Sequence, residues 1–528
     1  MRHGSTQHHL DFVTLFNDIE QFPTIDDLAQ YMGVTSEAVR SKAKRYRMTR
    51  KAYPELELPP ILDRSNVDDG LIYIDDGAIS TCNAIDYEKI GSKGKYVVTA
   101  AQYGAEVNTQ FLRSLKLYCK KNKATLVVLP IKYGRALEGM KQELDGHICY
   151  RSVPLNENIG LSTINIRPTT VNPLSSLDKH GHHMAQVFAS PKVQLRMVAS
   201  HNTPKPIMTT GAVTYPFYKS DKTGHLAERD HKFAAVLVDV KSDTEYHFRH
   251  LISPDGEGFC DIDGKHYTPK GIKKAKVEAL VCGDWHTGYT CPKVREATYG
   301  RKGMAKSLQP DAIIKHDFMD GYSISHHDER DATIMAQKAE AGKLDLRKEL
   351  EKNLDELKYI MSRTKAKIVM VASNHNDHLD RYLAEQRYNK DHKNRLIAIE
   401  LHANTIKSGF GAFQGYIDAN IPDKLKKRLK WLSRDEEYNK AGVKLDLHGD
   451  VGANGARGSL KAYDRHCHGT VTGHTHQPAI EGNAYQVGTS THLRLPYTKG
   501  LSSWLNTHAV VYSTGQVQLI NIIDGVWR

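Results

Sequence analysis

Five short apolar runs in the C-terminal half of the chain each end in Asp, His or Asn, side chains that can hold divalent cations and move protons. Val277 to Val281 leads through Cys282 and Gly283 to Asp284, Trp285 and His286. In an extended segment residues two apart point the same way, so Asp284 and His286 can reach one metal. Ala312 to Lys315 leads to His316 and Asp317, with Asp320 three residues on. A carboxylate such as Asp317 has two oxygens and can bridge two cations. Lys367 to Ala372 leads to Ser373, Asn374 and His375, an amide oxygen and an imidazole side by side. Val443 to Leu447 ends at His448, and Gly469 to Thr472 ends in Gly473, His474, Thr475 and His476, two imidazoles again two apart. A single cluster of this kind is commonly a structural turn. Five in series, each at a strand end, point to a metal-dependent centre.

The order and spacing of these blocks resemble the calcineurin-like metallophosphoesterase superfamily, whose blocks run Asp-x-His, Gly-Asp-x-x-Asp, Gly-Asn-His-Asp/Glu, His and Gly-His-x-His. The resemblance covers residues 275–528. It implies a four-layer αββα fold in which Asp284, His286 and His476 hold one metal, Asn374, His448 and His474 hold the second, and Asp317 bridges them. Two cations roughly 3.5–4 Å apart clamp the attacking and leaving oxygens of an in-line phosphoryl displacement, and a shared water loses its proton near neutral pH and attacks. His375 takes the superfamily's non-ligand histidine position, where it stabilises the transition state or protonates the leaving alkoxide. Oxygen and nitrogen ligands without thiolate favour Mn²⁺, with Mg²⁺, Fe or Zn²⁺ as alternatives. The chain departs from the pattern in three places. His316 stands where Gly is usual, so the backbone at Asp317 is expected to be less free to turn. Ser373 also replaces a Gly, and the acid after His375 is displaced by one, leaving Asp377 or Asp380 to orient that imidazole.

The elements that carry these side chains must be strands of an open α/β sheet, whose C-terminal edge is where ligands bind. A long charged helical stretch, roughly Asp328 to Thr364, separates the second and third blocks. Upstream, Lys95 to Ala101, Val107 to Asn122 and Thr125 to Pro130 read as strand, amphipathic helix and strand, a βαβ unit. Gln194 to Ala199, Lys232 to Val240 and Tyr246 to Ile252 read as further strands, and no Gly-rich phosphate fingerprint follows the first. Residues 53–94, rich in Pro, Gly and Asp with one short strand at Leu71 to Ile74, read as a linker. At the N-terminus, helical spacing over 10–22 stops at Pro23. Thr24 then caps a run to Met32, Gly33 ends it, and a third helix begins at Glu37. Helices joined by a tight Gly turn resemble bacterial and phage helix-turn-helix DNA-binding modules, and Arg40, Lys42, Lys44, Arg45 and Arg47 offer phosphate-facing charge. The expected domains are therefore 1–52, an all-α helix-turn-helix domain; 95–274, a mixed α/β domain whose role is opaque; and 275–528, the phosphoesterase.

The chain's 528 residues are 40% hydrophobic and 25% charged, which fits a soluble protein with a sizeable core and excludes a small stapled scaffold. No apolar run approaches the ~20 residues of a membrane span, and the first nine residues lack the apolar stretch of a signal peptide. A cytoplasmic location is expected. Seven scattered cysteines without a Cys-x-x-Cys pair indicate neither a disulfide framework nor a thiolate zinc site. Lys plus Arg outnumber Asp plus Glu by 73 to 61, a net charge of +12 that favours a polyanionic partner.

With the basic N-terminus and the run Lys424 to Lys430, that charge makes DNA the expected partner. A deoxyribonuclease similar to the double-strand-break-repair branch of the superfamily is the expected activity, with exonuclease action included. The whole-chain arrangement is also similar to the DNA-degrading pre-early proteins of T5-like phages, which implies action in a host cytoplasm and a homo-oligomer. Two other readings stay open: a metal-dependent phosphomonoesterase acting on a small molecule or phosphoprotein, and a DNA-binding regulator with a vestigial phosphoesterase domain. Salt separates the first from a nuclease, because DNA binding weakens steeply with salt and small-substrate turnover does not.

Overall fold

The computed structural model of the chain describes residues 24–36, 38–40, 82–91, 93–133, 139–201, 203–495 and 498–528. Two units make up the chain, Met1–Asp69 and Gly70–Arg528. In the first, helix α1 (Ile25–Tyr31) begins at Thr24, whose hydroxyl accepts from the Asp27 amide at 3.1 Å while the Asp27 carboxylate accepts from the Thr24 amide at 2.8 Å. This reciprocal capping box satisfies donors that a helix start would otherwise leave unpaired. Gly33 turns the chain at a φ of +63°, and Thr35 accepts from the Ala38 amide at 3.2 Å as helical residues resume. Leu28, Ala29 and Val39 are buried. The helix expected over 10–22, the strand expected over 71–74, and Lys42, Lys44, Arg45 and Arg47 lie outside the described residues.

The second unit is mixed α/β. In chain order it opens with strand β1 (Gly94–Gln102), helix α2 (Thr109–Asn122) and strand β2 (Ala124–Ile131). Strands β1 and β2 pair in parallel, as a βαβ unit requires. There follow β3 (Val153–Asn156), β4 (Ile159–Ser162), β5 (Ala185–Phe188), β6 (Gln194–Val198), β7 (Lys205–Thr209), β8 (Ala234–Val240) and β9 (Tyr246–Ile252). A small sheet of β10 (Phe259–Asp261), β11 (Lys265–Thr268) and β12 (Gly271–Lys274) precedes β13 (Val277–Val281) and β14 (Ala312–Lys315). The charged stretch expected as one helix is two, Ala332–Glu340 and α3 (Leu346–Arg363), because Gly342 takes a φ of +63° between them. Then come β15 (Lys367–Met370), α4 (Asp377–Ala384), β16 (Leu429–Trp431), β17 (Asn439–Lys440), β18 (Val443–Lys444) and β19 (Thr470–Thr472). Strands β20 (Ala479–Glu481), β21 (Ala484–Gln486), β22 (Thr507–Tyr512), β23 (Val517–Ile523) and β24 (Val526–Trp527) complete the unit.

Three larger sheets result. One is β2-β1-β8-β9, one is β16-β15-β14-β13-β22-β23-β24, and the third is β17-β18-β19-β21-β20-β6-β7-β5-β4-β3. The third draws half its strands from segment 95–274 and half from segment 275–528. Ile480 of β20 pairs with Leu195 of β6, and Glu481 with Gln194. Sequence reading placed a boundary at 274/275; the structure runs one sheet across it, each strand supplying the partner that the other's edge needs.

Period-two alternation assigns the faces. Along the seven-stranded sheet, Ala279, Val281, Ile314, Val369, Val511 and Leu519 share a buried cluster with Leu161, Val187, Leu195, Val471 and Ile480 of the ten-stranded sheet. Their alternates Leu280, Ile313, Ile368, Met370, Val510 and Ile520 pack with Leu350, Leu354, Leu357 and Ile360 of α3 and with other helices. A residue on one of these strands therefore meets either another sheet or a helix. Strands β13, β14, β15 and β16 run parallel, so their C-terminal ends fall along one edge.

Candidate metal centre

Each of the five sequence clusters reaches this edge. Asp284 and His286 follow β13, Asp317 follows β14, Asn374 and His375 follow β15, His448 follows β18, and His474 and His476 follow β19. Asp284, His286, Asp317 and His476 each offer an atom to one group of potential ligands. Asp317, His448 and His474 offer theirs to a second, and within each group the offered atoms lie within 4.8 Å of one another. Asp317 belongs to both: its Oδ2 is 3.6 Å from His286 Nε2 and 3.1 Å from His448 Nε2. Asn374 Oδ1 completes the second group, 3.1 Å from His448 Nε2 and 3.2 Å from His474 Nδ1. The seven residues that sequence reading proposed as ligands thus converge in two overlapping sets.

The geometry fits divalent cations. His286 Nε2 and His476 Nε2 face each other at 3.0 Å, an approach at which only one ring can donate to the other and which a shared cation would relieve. His286 gives its other ring N–H to Asp320 Oδ1 at 2.8 Å, the outer hydrogen bond that fixes a metal-binding tautomer. Asp284 Oδ1 and Asp317 Oδ1 are buried without a hydrogen-bond partner among the described residues, so each keeps an oxygen for a further ligand. Four of the seven, His286, Asp317, His474 and His476, sit at left-handed φ of 44°, 42°, 78° and 61°. Non-glycine residues held there cost roughly 1–3 kcal/mol each and concentrate at functional sites. The expectation that His316 would restrain the backbone is corrected: Asp317 makes the turn itself, and His316 stays buried with its ring 5.5 Å from that of His448.

The electrostatics divide the cluster. Burial pushes the Asp284 carboxyl up, to about 7. Burial also opposes charge on Asp317, yet His448 and His375 beside it hold its carboxyl well below the usual carboxylate range. Burial works against His448⁺ too, but Asp317 and Asp284 carry it up to about 9. His476 and His474 are pushed down, by burial first and by His286 and His448 respectively. Without cations the protons on this cluster do part of the neutralising that bound metal would do.

His375 borders the centre, its ring 4.5 Å from that of His286. Its Nδ1–H donates to the main-chain carbonyl of Asp320 at 2.7 Å, leaving Nε2 as the ring nitrogen for the cavity that His375 lines. Neither Asp377 nor Asp380 orients it, contrary to the sequence-based expectation. Asp377 lies at the start of α4 and takes Arg434 at 2.6 Å, while Asp380 accepts from the Ala412 amide at 2.6 Å. The cavity has a volume of about 350 Å³ and is also lined by Asp317, Asn374, His378, His474 and Trp504. Sequence reading missed Trp504, whose ring lies 4.2 Å from that of His476, and His378. Trp504 follows no strand in the block pattern, so only the fold brings it in, whereas His378 stands three residues past His375 in the third cluster without a place in the pattern.

The residues expected to face DNA are less gathered. Arg40 is exposed, with Asp26 3.9 Å away. In the run Lys424 to Lys430, Arg428 donates to the Met361 and Thr364 carbonyls at the end of α3, and Lys430 pairs with Glu436 at 2.7 Å. Lys424 and Lys427 are exposed. Among the described residues no helix is long and apolar enough to cross a membrane.

No protein-family model matches the chain. The chain is similar to "Protein A1" of Escherichia phage T5, 27% identical over 463 residues that span 82% of this chain and 82% of that protein. Among solved structures, Chaetomium thermophilum Vps29 aligns at 13% identity and a TM-score of 0.19, covering 33% of this chain and 99% of its own.

Proposed function

We propose that the chain is a two-metal phosphodiesterase that degrades DNA, with residues 275–528 following the metallophosphoesterase arrangement. The observation that carries this reading is the convergence of Asp284, His286, Asp317, Asn374, His448, His474 and His476, with Asp317 common to both groups. Asp284, His286 and His476 would hold one cation, Asn374, His448 and His474 the other, and Asp317 both. Bound there, two divalent cations would supply Lewis acidity to a phosphoryl group and lower the pKa of water; a mixed oxygen and nitrogen donor set without thiolate favours Mn²⁺.

The chain's own residues do the rest. Asp320 fixes the His286 ring through its carboxylate and the His375 ring through its carbonyl, so one residue orients both imidazoles. His375 Nε2 is the group placed to give a proton to the departing alkoxide. A net charge of +12 supports a polyanionic substrate, and similarity to a T5 protein supports a phage setting with the host cytoplasm as the place of action. Exposed Leu396, Ile399, Ile406 and Phe410, on and just after the helix Arg395–Ser408, support a homo-oligomer, which light scattering would read directly.

The test is digestion of end-labelled linear and closed-circular duplex DNA with Mn²⁺, Mg²⁺ or EDTA, wild type beside Asp317→Ala and His375→Ala. Degradation that needs Mn²⁺, is abolished by Asp317→Ala and is slowed about 10²–10⁴-fold by His375→Ala is expected. Loss of linear DNA alone identifies an exonuclease, and nicked circles add endonuclease action. Intact DNA together with Mn²⁺-dependent hydrolysis of an aryl phosphate would replace the nuclease by a phosphomonoesterase.

A further inference from the structure

We infer that His326, His327 and His378 form a third cation site in the same cavity, distinct from the Asp317 centre and suited to Zn²⁺. One ring nitrogen from each lies within 4.8 Å of the others. The ring centroids are 3.9 Å apart for His326 and His327, 5.7 Å for His326 and His378, and 6.3 Å for His327 and His378. Adjacency in the chain accounts for the first distance. It does not account for the third ring, which comes from α4, more than fifty positions away in the chain. His378 is only 8% exposed, and its Nδ1 has no hydrogen-bond partner among the described residues. Burial, with His375 nearby, lowers His378 to about 4, so one of its ring nitrogens keeps a free lone pair at neutral pH.

The donor chemistry separates this site from its neighbour. The carboxylates next to the trio in sequence are both taken, Asp328 by the buried Lys338 at 2.7 Å and Asp377 by Arg434 at 2.6 Å. Three imidazoles remain, a set that suits zinc with an open fourth position and suits Mg²⁺ or Ca²⁺ poorly. The His378 ring is 4.7 Å from that of His375, and His327 and His378 both line the cavity. On the phosphodiesterase reading, which this use of the site rests on, a cation there would meet a phosphate adjoining the scissile one, so the substrate class is a chain of phosphodiesters.

Equilibrium dialysis of the metal-free full chain against Zn²⁺, with metal counted by mass spectrometry, decides the matter. Wild type is expected to hold one ion more per chain than either His326→Ala or His327→Ala, with thermal melts showing that both variants are folded. Equal zinc content in wild type and both variants would overturn the third site. A variant joining Asp317→Asn to His448→Ala reads the other centre separately: it is expected to lose zinc yet keep the ion that His327→Ala removes. Failure of the phosphodiesterase reading would thus show in that variant and leave the first comparison unaffected.

Discussion

His375 is anchored at one ring nitrogen by a main-chain carbonyl, so on the phosphodiesterase reading a substitution there removes the proton donor while all seven proposed ligands stay in the chain. His375→Ala should lower kcat by about 10²–10⁴-fold, the range for a lost general acid, with metal content unchanged. Asp317→Asn should lower both, which paired assays of turnover and bound metal would distinguish. Beneath the centre, Lys315 is buried with its ammonium 3.1 Å from the centroid of the Trp285 ring and no hydrogen-bond partner among the described residues. Burial pulls it down to about 8, while the aromatic ring favours the charged form. An unfolded lysine titrates near 10.4, so between pH 8 and 10.4 the unfolded chain binds more protons than the folded one. Stability should therefore rise with pH across that window. Lys315→Met should flatten the rise and add on the order of 1 kcal/mol at pH 7, where the buried charge is at its most costly. Urea midpoints at pH 7, 8, 9 and 10 measure both.

The elements meet at one edge because strands β13, β14 and β15 are parallel and β19 brings its own C-terminal end to the same place. Gly473, just past β19, shows how tight that junction is. A Cβ there would collide with Asp284 Oδ1 and come within 3.2 Å of His316 Cβ. Gly473→Ala should displace Asp284, costing about 1–3 kcal/mol as overpacking does and lowering metal content, both readable in a melt and a metal assay. The strand-end clusters were legible in the sequence because each pairs an apolar run with ligands at a fixed offset, a local pattern. What holds His375 was not, since a backbone carbonyl has no side-chain signature and the acids nearest in sequence are committed to Arg434 and to the Ala412 amide. His326 and His327 meet His378 only through tertiary packing. The β6–β20 pairing joins residues almost three hundred positions apart, beyond any local periodicity.

At the scale of the whole molecule, metal binding and folding are linked. Each ion that binds only the folded state stabilises it by about 2.7 kcal/mol at a free concentration 100 times Kd. EDTA should lower Tm and Mn²⁺ restore it, a shift that calorimetry would show and that Asp317→Asn should largely remove. Segment 95–274 is tied into the same unit through β23 as well: Gln518 donates to the His250 carbonyl and to Asp261, which Arg249 grips at 2.6 Å. The ten-stranded sheet adds a consequence for anyone who would take the gene apart. Severed between residues 274 and 275, the chain would yield two fragments, each with an open strand edge that fits the other. Mixed together they are expected to rejoin through β6 against β20, a split pair whose reassembly co-purification would read.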